Sequence, residues 1–135
     1  MRGAPGYFFP VKLRLVRTRH FDRVFAARVR AAVGPLVVWA APNDLEHCRL
    51  GLAISRRAGS AVTRNRIRRL IRESFRLVQH GLPREPHGYD VIVSVRRHEP
   101  LSLDKYRAAL LGAVKTLDRK WQDKSDKSDN AIPGA

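Results

Sequence analysis

The strongest constraint on this chain is one stretch in its middle, Thr63-Arg64-Asn65-Arg66-Ile67-Arg68-Arg69-Leu70-Ile71-Arg72-Glu73-Ser74-Phe75. Ile67, Leu70, Ile71, Ser74, Phe75 and Val78 recur at i, i+3, i+4, i+7, i+8 and i+11, the spacing of one buried stripe on an α-helix. At about 100° per residue, Arg64, Asn65, Arg68, Arg69, Arg72 and Arg76 fan across the adjoining arc. Glu73 falls four residues after Arg69, at the spacing of a local ion pair. Such a helix must bury one face in a core and leave a crowded guanidinium face outside. Like charges at this spacing repel unless an anion neutralises them, and the planar guanidinium fork suits phosphate oxygens and stacking on bases. The face points to nucleic acid.

The charge of the whole chain agrees. Lys and Arg number 27 against 12 Asp and Glu, a formal +15 over 135 residues, which calls for a polyanionic partner or surface. A hydrophobic fraction of 44% is that of a folded chain, and this length supports one core rather than two. No apolar run approaches the roughly 18–20 residues that cross a bilayer. Pro5 and Pro10 interrupt the aromatic start Tyr7-Phe8-Phe9, so no membrane contact and no secretory signal is expected. The single cysteine, Cys48, excludes an internal disulfide and fits a reducing, cytoplasmic setting. It reads as a small buried side chain beside a strand.

In order, residues 1–10 form a Gly/Pro-punctuated terminus expected to be flexible. Residues 11–19 alternate apolar and basic side chains, as an extended arm does. Thr18 is placed to cap a short helix over 19–27 whose Phe21, Val24 and Phe25 share one face. Two strands, 28–33 and 36–41, flank the Gly34-Pro35 turn, and Trp39 falls in the second. A third strand spans 49–55. Ser60 or Thr63 caps the arginine helix, which Gly81 and Pro83 bring to a stop. Residues 90–95, Asp-Val-Ile-Val-Ser-Val, read as a central strand. Ser102 caps a last helix with the stripe Leu103, Tyr106, Leu110, Val114, Leu117 and Trp121. Beyond Gln122 the Lys/Asp/Ser-rich tail, 122–135, has no apolar anchors and is expected to be disordered. The order αβββαβα predicts an α+β fold, a two-layer sandwich of one mixed four-stranded sheet with three helices.

The segment Gly51-Leu-Ala-Ile-Ser-Arg-Arg-Ala-Gly-Ser-Ala-Val-Thr-Arg-Asn-Arg-Ile-Arg-Arg-Leu-Ile-Arg-Glu-Ser-Phe75 closely resembles the signature of the bacterial ribonuclease P protein component. That family shows a Gly-Leu-x-Val-Ser-Lys-Lys strand, a Gly-x-Ala-Val turn and a helix opening on Arg-Asn-Arg; here arginine stands where lysine is frequent. The resemblance extends over residues 11–121 as one RNA-binding domain and implies a left-handed βαβ crossover. It implies a subunit that binds ribonuclease P RNA and the 5′ leader of precursor tRNA, so that the leader is removed endonucleolytically. It also implies that the RNA subunit performs the hydrolysis with Mg2+ that it mainly holds itself. Residue by residue, Arg56, Arg57, Arg64, Asn65, Arg66, Arg68, Arg69 and Arg72 would contact RNA. Phe21, Phe25 and Trp39, with Arg14 and Arg17, would border the leader cleft. Aromatic faces suit a single strand because every base can stack on them, at about 1–3 kcal/mol per base. From periodicity alone Phe21 and Phe25 read as core before cleft, and Trp39 as either. Asn65 bonding the preceding loop, or Arg66 pairing with Glu73, would make those residues structural.

No catalytic machinery of its own is read in the chain. The five histidines are scattered, the carboxylates are few and separated, and neither GxxxxGK[ST] nor GxSxG occurs, so no metal site and no catalytic residue is assigned. Two rival readings use the same basic helix: a ribosomal or RNA-chaperone protein without a processing role, and a DNA-binding module. A-form RNA hides its major groove, whereas DNA reading needs a groove-entering helix.

Overall fold

Strand pairing in the computed structural model, which describes residues 9–131 and side chains as far as residue 125, follows the alternation of the sequence. The strands are β1 (Arg30–Val33), β2 (Leu36–Pro42), β3 (Arg49–Ala53) and β4 (Tyr89–Val95); the helices are α1 (Thr18–Ala27), α2 (Ala61–Val78) and α3 (Leu103–Ala131). They form one mixed sheet in the order β1-β2-β4-β3. β2 lies antiparallel to β1 and to β4, while β3 and β4 are parallel neighbours joined through α2. The expected α+β sandwich of four strands and three helices is thus what the chain forms.

The two faces of the sheet are unequal. Leu36, Val38 and Ala40 of β2, Val91 and Val93 of β4 and Leu50 of β3 meet the α2 stripe of Ile67, Ile71, Phe75 and Val78. Tyr106, Leu110, Val114 and Leu117 of α3 close the same core. Each fully buried Ile, Leu or Phe here contributes about 1.5–3 kcal/mol. On the opposite face Val24 of α1 and Leu15 pack with Ala41 and Ile92, and Phe21, Phe25 and Trp39 remain half-buried around them. One short helix cannot roof four strands. That leaves an open, aromatic-edged surface.

Local chemistry adjusts several boundaries. Arg17 rather than Thr18 is the N-cap of α1, and it makes no side-chain cap bond; its carbonyl takes the N–H of His20 and of Phe21. Arg28 ends α1 in the left-handed region, φ 59°, which delays β1 until Arg30. Ser60 is the cap of α2, its Oγ accepting from Thr63 N at 3.2 Å. Ser102 caps α3 by accepting from Lys105 N at 3.2 Å. Phe9 is buried and edge-on to Phe75 at 6.0 Å, so the folded domain starts before residue 11; residues 1–8 of the expected flexible terminus lie outside the described residues. α3 does not stop at Gln122 but continues to Ala131. Its side chains at 122–125 are exposed, so this part is a solvated helix that needs no apolar anchor. Residues 132–135 of the expected tail lie outside the described residues.

Candidate nucleic-acid interface

The guanidinium face of α2 divides into two flanks. Arg64 and Arg66 stand about 200° apart on the helix, so the Arg-Asn-Arg triplet cannot address a single surface. Arg64 folds back, its Nε donating to the Gly59 carbonyl at 3.2 Å. It is therefore Arg64, not Asn65, that ties the helix to the loop before it. Asn65 Oδ1 instead accepts from Arg68 Nη1 at 2.5 Å. Glu73 takes a bidentate pair from Arg76, Nε at 2.9 Å and Nη2 at 2.6 Å, rather than from Arg66. Arg66 lies on the α3 side, where its charge is felt by the Tyr106 hydroxyl. Arg56 and Arg57 are exposed on the 3-10 turn Arg56–Ala58, which Ser55 caps through Arg57 N. Among the described residues Arg56, Arg57, Arg66, Arg68 and Arg72 make no ion pair with a carboxylate.

Arg72 shows how crowded the flank is. Partial burial, and then the charges of Arg68 and Arg14, lower its pKa from the usual guanidinium value. Arg14 thus belongs to this flank and not to the aromatic one. The physical reason is register: Arg14 bridges Leu50 in parallel, and Leu50 faces α2, so Arg14 shares that side while Leu15 turns to the other. Arg14 also donates from Nε to the Phe9 carbonyl at 3.0 Å. The sequence-based grouping of Arg14 with the aromatic cleft is corrected accordingly.

Phe21, Phe25 and Trp39 do come together on the open face. Phe25 meets Trp39 edge-on with ring centroids 5.0 Å apart, and the Arg30 guanidinium lies 5.2 Å over the same indole. Arg30 and Trp39 are register partners, which puts both on this face. A cleft of about 390 Å³ is lined by Phe25, Arg28, Arg30 and Trp39. Arg17 is exposed at the start of α1. Phe21 reaches the sheet only because residue 51 is glycine: a Cβ there would stand 2.6 Å from Phe21 Cζ. Gly51→Ala should therefore lever the Phe21 ring outward at a cost of about 1 kcal/mol, seen as a modest fall in melting temperature; an unchanged ring environment by NMR would contradict this geometry.

A group that sequence reasoning missed locks α1 in place. Asp90 has a fully buried side chain, and its carboxylate accepts from Arg49 Nε and Nη2 at 2.8 Å each and from Asn43 Nδ2 at 2.9 Å. Arg23 of α1 donates to the same carboxylate. Burial alone would raise the Asp90 pKa, but the hydrogen bonds from Arg49 and Asn43 and the two guanidinium charges outweigh it and hold the carboxyl below its usual value. The available signal was an aspartate heading an apolar strand; its partner Arg49 follows only from the parallel register that sets Arg49 beside Asp90. Nearby, burial and then the Arg49 charge lower the His20 pKa.

Cys48 is buried, accepting from Tyr89 N at 3.3 Å and donating to the Pro83 carbonyl at 3.4 Å, and burial pushes its thiol up to about 11. It has a structural position. Among the described residues no group of three or more His, Cys, Asp or Glu is placed to hold a metal ion, and no helix is long and apolar enough to cross a membrane.

Comparison with known proteins gives a consistent result. The family model described as Ribonuclease P matches residues 9–118. The ribonuclease P protein component of Photobacterium profundum is 37% identical over 114 residues, covering 84% of this chain and 88% of the relative. That of Photorhabdus laumondii is 44% identical over 90 residues, covering 66% and 72%. Among solved structures, the ribonuclease P protein of Thermotoga maritima superposes with a TM-score of 0.67 at 29% identity, over 76% of this chain and 96% of that one. A mutant of the Staphylococcus aureus ribonuclease P protein gives 0.68 at 27% identity, over 79% and 89%. The two-faced sheet, the arginine helix that bridges its parallel strands, and these matches across most of the chain make it a member of the ribonuclease P protein component family.

Proposed function

We propose that this chain is the RNA-positioning subunit of ribonuclease P, acting on precursor tRNA in the cytoplasm. The α2 face with Arg56 and Arg57 contacts the ribonuclease P RNA, and the open face at Phe21, Phe25 and Trp39, with Arg17 at its rim, receives the 5′ leader. The observation that carries this reading is the division of the domain into a cationic flank, in which Arg56, Arg57, Arg66, Arg68 and Arg72 make no ion pair with a carboxylate among the described residues, and a separate aromatic cleft. The first suits a folded RNA with dense backbone charge. The second suits an unpaired strand. Endonucleolytic cleavage is assigned to the RNA subunit, with Mg2+ held mainly there; among the described residues no group of three or more His, Cys, Asp or Glu is placed to hold the ion. The protein's part is to orient substrate and to offset phosphate repulsion.

The test is reconstitution with a bacterial ribonuclease P RNA at low magnesium. Cleavage at the mature 5′ end should require the protein and should fail with an Arg64→Ala, Arg68→Ala double variant. Binding without any rescue of cleavage would instead favour a general RNA-binding role of the ribosomal or chaperone kind. Phe21→Ala should weaken leader-bearing substrate by about fivefold to a hundredfold, the range of one lost stacking contact, and leave mature tRNA unaffected. Equal loss on both would return Phe21 to a core role.

A further inference from the structure

The aromatic cleft does not end at Trp39. A second cleft of about 490 Å³, lined by Arg28, Val29, Arg30, Lys120, Asp123 and Lys124, adjoins it and shares Arg28 and Arg30 with it. Its walls are the C-terminal end of α1, the outer edge of β1 and the solvated half of α3. We infer that this second cleft is a distal subsite for the sugar–phosphate backbone of the same single strand, which passes from the aromatic cleft across the β1 edge toward α3. The inference rests on the leader-binding reading and extends it.

Four cations line this cleft against the one carboxylate of Asp123. They are held by contacts that leave their charge uncompensated. Lys120 Nζ donates to the Arg30 carbonyl at 2.7 Å, Arg30 lies 5.2 Å over Trp39, and Lys124 lies 6.0 Å over Trp121. Trp121 is itself fixed by donating from Nε1 to the Ala40 carbonyl at 2.8 Å. Among the described residues none of the four cations makes an ion pair. A carbonyl or an aromatic ring orients a cation without cancelling it, so the positive field stays available for phosphate.

Arg28 is the second, independent sign. It occupies the left-handed position that ends α1, φ 59°, where glycine would sit without strain. An arginine there accepts backbone strain while making no ion pair among the described residues, and its side chain lines both clefts. Strain at such a position is a reason to look for a role outside the fold.

The experiment uses holoenzyme assembled with a bacterial ribonuclease P RNA and precursor tRNAs that differ only in leader length. One leader is short enough to fill the aromatic cleft alone; the other is several nucleotides longer. Wild-type affinity should rise with the longer leader. The Lys120→Ala, Lys124→Ala variant should lose about tenfold on the long leader only, with the log–log salt slope reduced by about 1.4 for two lost phosphate contacts. Lys105→Ala with Lys115→Ala, which removes the same charge elsewhere on α3, should leave long-leader affinity unchanged. Arg28→Gly should melt at or above the wild-type temperature yet weaken the long leader, separating binding from folding. Equal losses on short and long leaders, or no loss, would overturn the distal subsite while leaving the aromatic cleft intact. If wild-type holoenzyme ignored leader length and Phe21→Ala changed nothing, the leader-binding reading itself would fall and the subsite with it.

Discussion

Replacing Asp90 by alanine should cost about 3–5 kcal/mol of folding stability, a large share of the roughly 5–15 kcal/mol that holds a domain of this kind together. The carboxylate is fully buried and serves two guanidinium groups and one amide. Removing it strands Arg49 and Arg23 together and takes one acceptor from the Asn43 amide, which keeps its bond to the His47 carbonyl. Equilibrium denaturation measures the loss directly, and a change under 1 kcal/mol would mean that the cluster contributes little. Because folding depresses the Asp90 pKa, its contribution is complete above the ordinary carboxylate range, near about 4, and disappears as pH falls through the lower folded value. Wild-type stability should therefore drop in acid below about pH 4, and Asp90→Asn should flatten part of that drop. The consequence reaches the proposed leader cleft, because Arg23 is the tether of α1 to this carboxylate and α1 carries Phe21 and Phe25.

The second large effect belongs to the cationic flank. An Arg68→Ala, Arg72→Ala double variant should weaken binding to ribonuclease P RNA by about a hundredfold at moderate salt and reduce the log–log salt slope by about 1.4–1.8, two phosphate contacts' worth. Removing these two also relieves mutual repulsion, since the charges of Arg68 and Arg14 oppose that of Arg72. The free protein should consequently melt no lower than wild type. Loss of binding without loss of stability separates an interface residue from a structural one. Filter binding across a salt series together with a melting curve decides it: parallel salt slopes for variant and wild type would place the footprint elsewhere. Arg64 is the less clean choice for this purpose, because its Nε also holds the Gly59 carbonyl at the entrance to α2.

Local pattern was sufficient for the elements. The helical spacing of Ile67, Ile71, Phe75 and Val78 marks a buried stripe, and those side chains are buried in the core. Gly34 sits at φ 57° in the β1–β2 turn, as a Gly-Pro pair between two apolar runs suggests. Side chains at 61–78 settle their helix within a few turns, so periodicity of about 3.6 carries the information. Caps and ends are less legible. Whether Ser60 or Thr63 leads the helix depends on which hydroxyl meets a backbone N–H, and whether Thr18 caps α1 depends on where the arm from Leu15 is pinned to Leu50.

What composition and spacing determined by themselves was the α+β order, the apolar stripe of α2 and the excess of arginine over carboxylate, because each is a property of neighbours along the chain. Which flank a given arginine joins was decided only in three dimensions. Arg14 stands with Arg72 and not with Phe25 because its parallel bridge to Leu50 fixes the side of the sheet on which it emerges. Asp90, Arg49, Asn43 and Arg23 are distant in sequence, and one buried carboxylate unites them only after the strands are in register. The cleft shared by Phe25, Arg28, Arg30 and Trp39 has the same origin. Register and helix packing choose which side chains share a face, and no local pattern encodes that choice.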